Sequence, residues 1–295
     1  NKLRNSDNEA ESQVTFQILR NLELPDQGYF LNITERRIII EAKDEAGLFY
    51  GFATLDQIAE DASLQGVNLP IAQIKDYPEL TYRSIHWDVK HHLDKEAYYY
   101  DLIDNMARQK INGVILEIED KLKYQTHPEI GSTDAFSSSQ WLAISNYAIE
   151  RHISISPLVQ GLGHASFILK HPTYFELRDD PESDWAFNPL NQKTYEIQFD
   201  LYDEALAITP HGKYLHVGGD EVKTTGRNSG KSALELQLYW LNKVAKYAKQ
   251  QNRIPIFWDD MPLKEAALMD PIYNTSISNT EVAVSYTHLT LPTNR

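Results

Sequence analysis

Beyond Tyr82 short apolar runs alternate with longer amphipathic stretches, the pattern of repeated β/α units around a parallel sheet or barrel. The runs fall at 83–89, 113–118, 153–159, 214–218 and 254–258, and the spacing between them predicts helices over 95–108, 139–151, 194–208 and 232–251. Before Tyr82 the pattern differs. Positions 29–33 and 37–42 are rich in β-branched and aromatic residues around a short polar turn, which predicts a strand pair. Asp44 then reads as the N-cap of a helix carrying Leu48, Phe49, Phe52, Leu55 and Ile58. A strand-like run at 69–74 follows, and 75–79, with Pro78 among charges, reads as an interdomain connection.

This organisation divides the chain. Residues 1–13 are expected to be a disordered lead, 14–76 a small α/β domain and 77–283 a catalytic-type barrel. A complete eight-stranded β/α barrel takes about 250 residues, so only about five of eight units fit. The expected fold is α/β, a (β/α)8-type barrel incomplete at its C-terminal end behind a small α/β domain. Residues 284–295, polar and threonine-rich with no clear period, are read as a non-native tail.

Composition narrows the partners. A net charge of −14 without a local Lys/Arg cluster argues against nucleic acid and anionic membranes. The apolar runs are too short to span a bilayer, and any signal peptide or anchor would lie outside this sequence. The compartment stays open, with export one option. With no cysteine there is no disulfide, thiolate nucleophile or thiolate metal site.

In a β/α barrel the chemistry gathers where strands end, and polar groups follow each run: Asp88, His91 and His92; Glu119 and Asp120; Gln160 and His164; Asp220 and Glu221; Trp258, Asp259 and Asp260. The fourth set is the most informative. On a regular strand adjacent side chains point to opposite faces, so Asp220 and Glu221 share a pocket only where the backbone turns, a freedom that Gly218 and Gly219 supply. Two carboxyl groups held together can divide acid and base roles, although a solvated acidic turn would have the same sequence. His86, His91 and His92 form no ligand set of mixed type, so no metal is expected.

Several motifs, in order, resemble glycoside hydrolase family 20, the β-N-acetylhexosaminidases, and within it the divergent branch that includes hexosaminidase D. They are Ala46-Gly-Leu-Phe-Tyr-Gly-Phe-Ala-Thr-Leu-Asp-Gln-Ile58 in the small domain, Tyr82-Arg-Ser-Ile-His-Trp-Asp-Val-Lys-His-His92 at the first barrel strand, Gly161-Leu-Gly-His164 at the third, His216-Val-Gly-Gly-Asp-Glu-Val222 at the fourth, and Phe257-Trp-Asp-Asp260 at the fifth. The resemblance implies exo-acting hydrolysis of terminal N-acetylglucosamine or N-acetylgalactosamine from an oligosaccharide or glycoconjugate, without cofactor or metal. The substrate's own acetamido oxygen would act as nucleophile.

By that resemblance Glu221 is the general acid and base, Asp220 orients the acetamide, and His164 tunes Glu221. Arg83 binds sugar hydroxyls, Trp258 lines the acetamide pocket with Asp259 beside it, and Glu119 with Asp120 supports the site. Gln160 stands where many members carry an aspartate partner for the histidine, and His91 where an arginine is usual. The tyrosine, tryptophan and acidic residue of the family's later strands are not matched. A truncated or inactive homologue that only binds amino sugars, or a different two-domain barrel glycosidase, remains the alternative at this stage.

Overall fold

The computed structural model describes residues 13–222, 224–265 and 283–286. They form two compact units, the first comprising residues up to 83 with 101–112 and 151–153, the second the remainder.

The first unit is a four-stranded mixed sheet with one helix. Strand β1 (Gln13–Ile18) runs parallel to β3 (Arg37–Ala42), which pairs antiparallel with β2 (Tyr29–Ile33), which in turn pairs antiparallel with β4 (Ala72–Asp76), in the order β1-β3-β2-β4. Alternation along β2 and β3 puts Tyr29, Leu31, Ile33, Ile40 and Ala42 on one face, where they are buried together with Tyr50 and Leu55 of helix α1 (Glu45–Gln65). Asp44 caps that helix by accepting from the Gly47 amide, as its position predicts. Gly51 sets how close the helix lies, because a Cβ there would stand 2.5 Å from Cγ2 of Ile40.

Two expectations shift. The strand expected at 69–74 begins at Ala72 and runs on to Asp76, into the segment read as a connection. Gln13, placed in the lead, opens β1, whose alternating Val14, Phe16 and Ile18 are largely exposed.

The second unit is a parallel sheet in strictly sequential order, β5 to β10. Its strands are β5 (Ser84–Asp88), β6 (Gly113–Glu117), β7 (Ser154–Gly161), β8 (Tyr214–Gly218), β9 (Ile254–Trp258) and β10 (Ala283–Tyr286). The five predicted runs are all strands. A sixth strand, β10, not among the predicted runs, pairs parallel to β9 through Ala283 and Val284, across the boundary set for the tail. The helices between strands include α2 (Glu96–Arg108), α3 (Ser138–Ile149), the short α4 (Ser166–Leu169), α5 (Gln192–Ile208), α6 (Ala233–Gln250) and α7 (Asp260–Glu265). Capping boxes at Ser137 with Gln140 and at Ser232 with Glu235 start α3 and α6.

Register decides which side chains share the sheet's face. Asp88, Glu117, Leu158, His216 and Ile256 are successive ladder partners, so all five project to one side. Ile115, Leu158 and Ile256 make an apolar floor there, with Tyr214 and Trp258 packed against it. An extra residue on β7 between Leu158 and Gly161 breaks the register with β8, the kind of bulge that re-aims side chains at a sheet end. No helix among the described residues is long and apolar enough to cross a membrane.

Gly51→Ala should lower stability by about 1–3 kcal/mol, outweighing the gain of about 1 kcal/mol in helix propensity, because Ile40 is fully buried and cannot yield. The midpoint of urea unfolding measures this, and an unchanged midpoint would show that α1 can lift from the sheet.

Candidate functional site

The site is built from the loops that leave β6, β7 and β8. At the end of β8 the backbone turns through Gly218, φ +73°, and Gly219, φ +97°. Glycine is required at 218 on two counts, since a Cβ would also stand 1.9 Å from Oε1 of Gln160. The loop after β7 runs flush against this turn, and a Cβ on Gly163 would meet the Asp220 carbonyl oxygen at 2.8 Å. Within four residues of these strand ends, residues other than glycine held in the left-handed region include Glu119 (φ +38°), Leu162 (+65°), His164 (+50°) and Glu221 (+47°). Such conformations persist only where the surroundings over-determine them, and they concentrate at functional sites.

The turn brings the adjacent carboxylates to one imidazole. Nε2 of His164 lies 3.2 Å from Oδ2 of Asp220 and 3.5 Å from Oε2 of Glu221. Asp220, the nearer, raises the His164 pKa above its usual value against the opposing effect of burial, and Glu221 adds to the rise. The Asp220 side chain is mostly covered whereas that of Glu221 is 71% exposed, so one carboxylate is held inside the cluster and the other faces the open side. The indole ring of Trp185 lies 4.4 Å from the His164 ring, centre to centre.

Below these groups lies a second cluster. Glu117, fully buried at the end of β6, accepts from Nε2 of Gln160 at 2.9 Å and faces Nε2 of His86 at 2.9 Å and Nζ of Lys90 at 3.1 Å. Burial alone would raise its pKa, but the bonds from His86 and Gln160 and the Lys90 charge prevail and hold it down at about 2. Glu119, two residues on, has no such set of donors. Burial, then the charge of Glu117, pushes it up to about 8, so it is a neutral acid at pH 7. Between the strands His216 is buried, its pKa brought down to about 3 chiefly by burial, and its Nδ1 accepts from the Gly218 amide at 3.1 Å. Trp258 sits beside it, with ring centres 4.6 Å apart, and 5.9 Å from the His86 ring.

Of the residues singled out from sequence, His164, Asp220 and Glu221 come together directly. Trp258 lies on the apolar floor beside His216, Glu119 is charge-coupled to Glu117 and His164, and Asp259 is buried after β9. Arg83 is a correction. It precedes β5 at the amino end of the strand and belongs to the first unit. There Nε donates to the Lys110 carbonyl, Nη1 to the Leu80 carbonyl and Nη2 to Oε1 of Gln27, while the guanidinium lies over the Tyr50 ring. All three nitrogens are thus committed to holding the small domain.

Asp120 likewise braces its loop, its carbonyl accepting from the amide and hydroxyl of Ser132. Gln160 serves Glu117, while the carboxylate facing His164 comes from Asp220. His86 faces Glu117, and among the described residues no three His, Asp or Glu side chains are grouped as metal ligands.

Sequence reading passed over Glu117, Lys90 and Trp185. For Glu117 a signal existed, since a carboxylate inside the apolar run 113–118 needs paired donors. Trp185 carried none, because its neighbour His164 is twenty-one residues distant and joined only by the loop's fold.

Removing the buried anion tests this electrostatic arrangement. Glu117→Gln should cost about 2–4 kcal/mol, below the full price of an orphaned pair because Lys90 keeps Asp88 at 2.8 Å. With a folded pKa near 2 and an ordinary unfolded one, the Glu117 contribution is complete above about pH 4.5 and fades as pH falls towards 2. Acid unfolding of Glu117→Gln should lack that component. In Asp220→Asn the His164 imidazole, followed by NMR, should titrate at lower pH than in the parent chain.

Comparison with known proteins agrees with this layout. The model of glycosyl hydrolase family 20, domain 2, matches residues 1–77, and that of the family 20 catalytic domain matches residues 80–284. Hexosaminidase D of Bos taurus is 27% identical over 191 residues, covering 61% of this chain and 55% of that protein. A beta-hexosaminidase of Porphyromonas gingivalis is 29% identical over 283 residues, 81% of this chain and 36% of that protein. This chain therefore spans about half or less of the length of those curated relatives. The crystal structure of a beta-N-acetylhexosaminidase from Bacteroides fragilis superposes with a TM-score of 0.76 at 25% identity, covering 95% of this chain and 59% of that one. With both domain models matched in order along most of its length, the chain belongs to glycosyl hydrolase family 20.

Proposed function

We propose that this chain carries the acid and base machinery of an exo-acting β-N-acetylhexosaminidase that cleaves terminal N-acetylglucosamine or N-acetylgalactosamine with retention of configuration. The observation that carries the reading is the convergence of Asp220 and Glu221 on Nε2 of His164, with Glu221 exposed and Asp220 withdrawn. A strictly sequential parallel sheet also favours a closed eight-stranded barrel over a doubly wound sheet, whose strand order would reverse.

In this mechanism the acetamido oxygen of the bound sugar attacks C1 while Glu221 gives its proton to the glycosidic oxygen, and the C1–O bond to the leaving group breaks. A cyclic oxazolinium-like intermediate results. Water then attacks C1, Glu221 takes its proton, and the bond from C1 to the acetamido oxygen opens. Two inversions give net retention. Asp220, withdrawn from solvent, takes the acetamide N–H and balances the positive charge that develops there. His164, within reach of both carboxylates, orients them for these separate tasks. Trp258 supplies an apolar wall for the acetamide methyl with Asp259 behind it, and Glu119, neutral at pH 7, is suited to donate to a sugar oxygen.

The test is turnover of aryl N-acetyl-β-glucosaminides. Glu221→Gln should lower kcat by about 10²–10⁴-fold. The matching aryl glucoside, which lacks the acetamide nucleophile, should not be cleaved. Equal hydrolysis of both sugars, or a Glu221→Gln variant as active as its parent, would overturn the reading.

A further inference from the structure

Glu221 is an exposed side chain on a backbone that should not hold its shape unaided. At φ +47° a residue with a Cβ sits in the left-handed region, which is disfavoured relative to ordinary helical or extended backbone. Both of its peptide groups are nevertheless held by side chains from neighbouring loops. Its N–H donates to Oδ2 of Asp260, the first residue of α7 after β9, at 3.3 Å. Its carbonyl accepts from Nε1 of Trp185, in the loop between β7 and α5, at 3.0 Å.

Trp185 is anchored in turn. Its amide donates to Oγ of Ser183, its carbonyl accepts from the Ala165 amide next to His164, and its ring packs on the His164 imidazole. Earlier in the same connection the Asp179 carboxylate accepts from the amides of Thr225 and Gly226 and the hydroxyl of Thr225, which ties down the segment that follows Glu221.

From this geometry, and resting on the proposed role of Glu221 as proton donor, we infer that Trp185 and Asp260 are positioning residues forming a two-sided clamp on the Glu221 peptide, which fixes the strained backbone that aims its carboxyl group. Neither side chain needs to touch the reacting atoms. Without the clamp, φ at 221 relaxes and the carboxyl group leaves the glycosidic oxygen, and displacements of about 1 Å at a proton donor cost on the order of 10²-fold.

The dependence on leaving group separates this role from a merely structural one. An aglycone that leaves readily, such as dinitrophenolate, needs little protonation, whereas a simple alkyl or sugar aglycone needs a well-placed acid. Trp185→Phe keeps an aromatic ring against His164 and deletes only the Nε1–H donor. It should lower kcat about 10- to 100-fold on the poor leaving group, change it less than about threefold on the dinitrophenyl glycoside, and leave KM within about twofold on both. Asp260→Ala should behave in the same way, and Asp260→Asn, which retains an acceptor oxygen, should recover most of the loss.

A uniform loss on both substrates in Trp185→Phe and Asp260→Ala would overturn the clamp, as would a raised KM with unchanged kcat, which would make Trp185 a sugar-binding surface instead. Glu221→Gln run alongside distinguishes the two levels. If it shows the leaving-group dependence and the clamp variants do not, the clamp fails while the proton donor stands. If it shows none, the proton-donor role itself fails.

Discussion

The close approach of two backbones at the end of β8 governs the site. Gly218 has no space for a Cβ beside Gln160 and adopts a conformation that side chains disfavour, so the strand must end there and the chain must turn. That turn takes Asp220 and Glu221 out of the strict alternation that would otherwise have sent them to opposite faces. The same crowding recurs one strand away, where Gly163 lies against the Asp220 carbonyl and carries His164 to the carboxylates. Two glycine positions thus convert a pair of adjacent acidic residues into a cluster around one imidazole.

The electrostatics beneath the turn follow from which carboxylates find donors. Glu117 and Glu119 are both buried and only two residues apart, yet one is held strongly acidic and the other is pushed to about 8. Burial acts on both in the same direction. The difference lies in Gln160, His86 and Lys90, which face Glu117 and leave Glu119 with desolvation and a like charge. A fixed anion thus lies beside a carboxyl group pushed towards its neutral form. Gln160, which reaches Glu117, lies within the bulge where β7 loses its register with β8.

Much of the architecture was legible because period and polarity were clear. The five apolar runs became five parallel strands, and the helix boundaries were right to within two or three residues where capping residues such as Asp44, Ser137 and Ser232 mark them. Two strands escaped for physical reasons. The alternating apolar residues of β1 are largely exposed, and β10 falls in a polar, threonine-rich stretch with no pattern to distinguish it. The end of β4 moved because Lys75 and Asp76, polar enough to read as a connection, alternate in and out on an edge strand.

What the amino-acid order by itself determined was the set of elements and the presence of paired carboxylates after a glycine turn, because periodicity and backbone freedom are local properties. The partners of those carboxylates were decided by tertiary structure. Register across β5 to β9 puts His86, Glu117 and His216 on one face, and the loop packing brings Trp185 to His164 and Asp260 to Glu221 from distant parts of the chain. Arg83 makes the same point in reverse, since the family resemblance implied a sugar contact and the packing of its own unit gives all its nitrogens other acceptors. Residue type and spacing limit what a side chain can do, but only the folded neighbours determine which of those options its donors and acceptors are free to take.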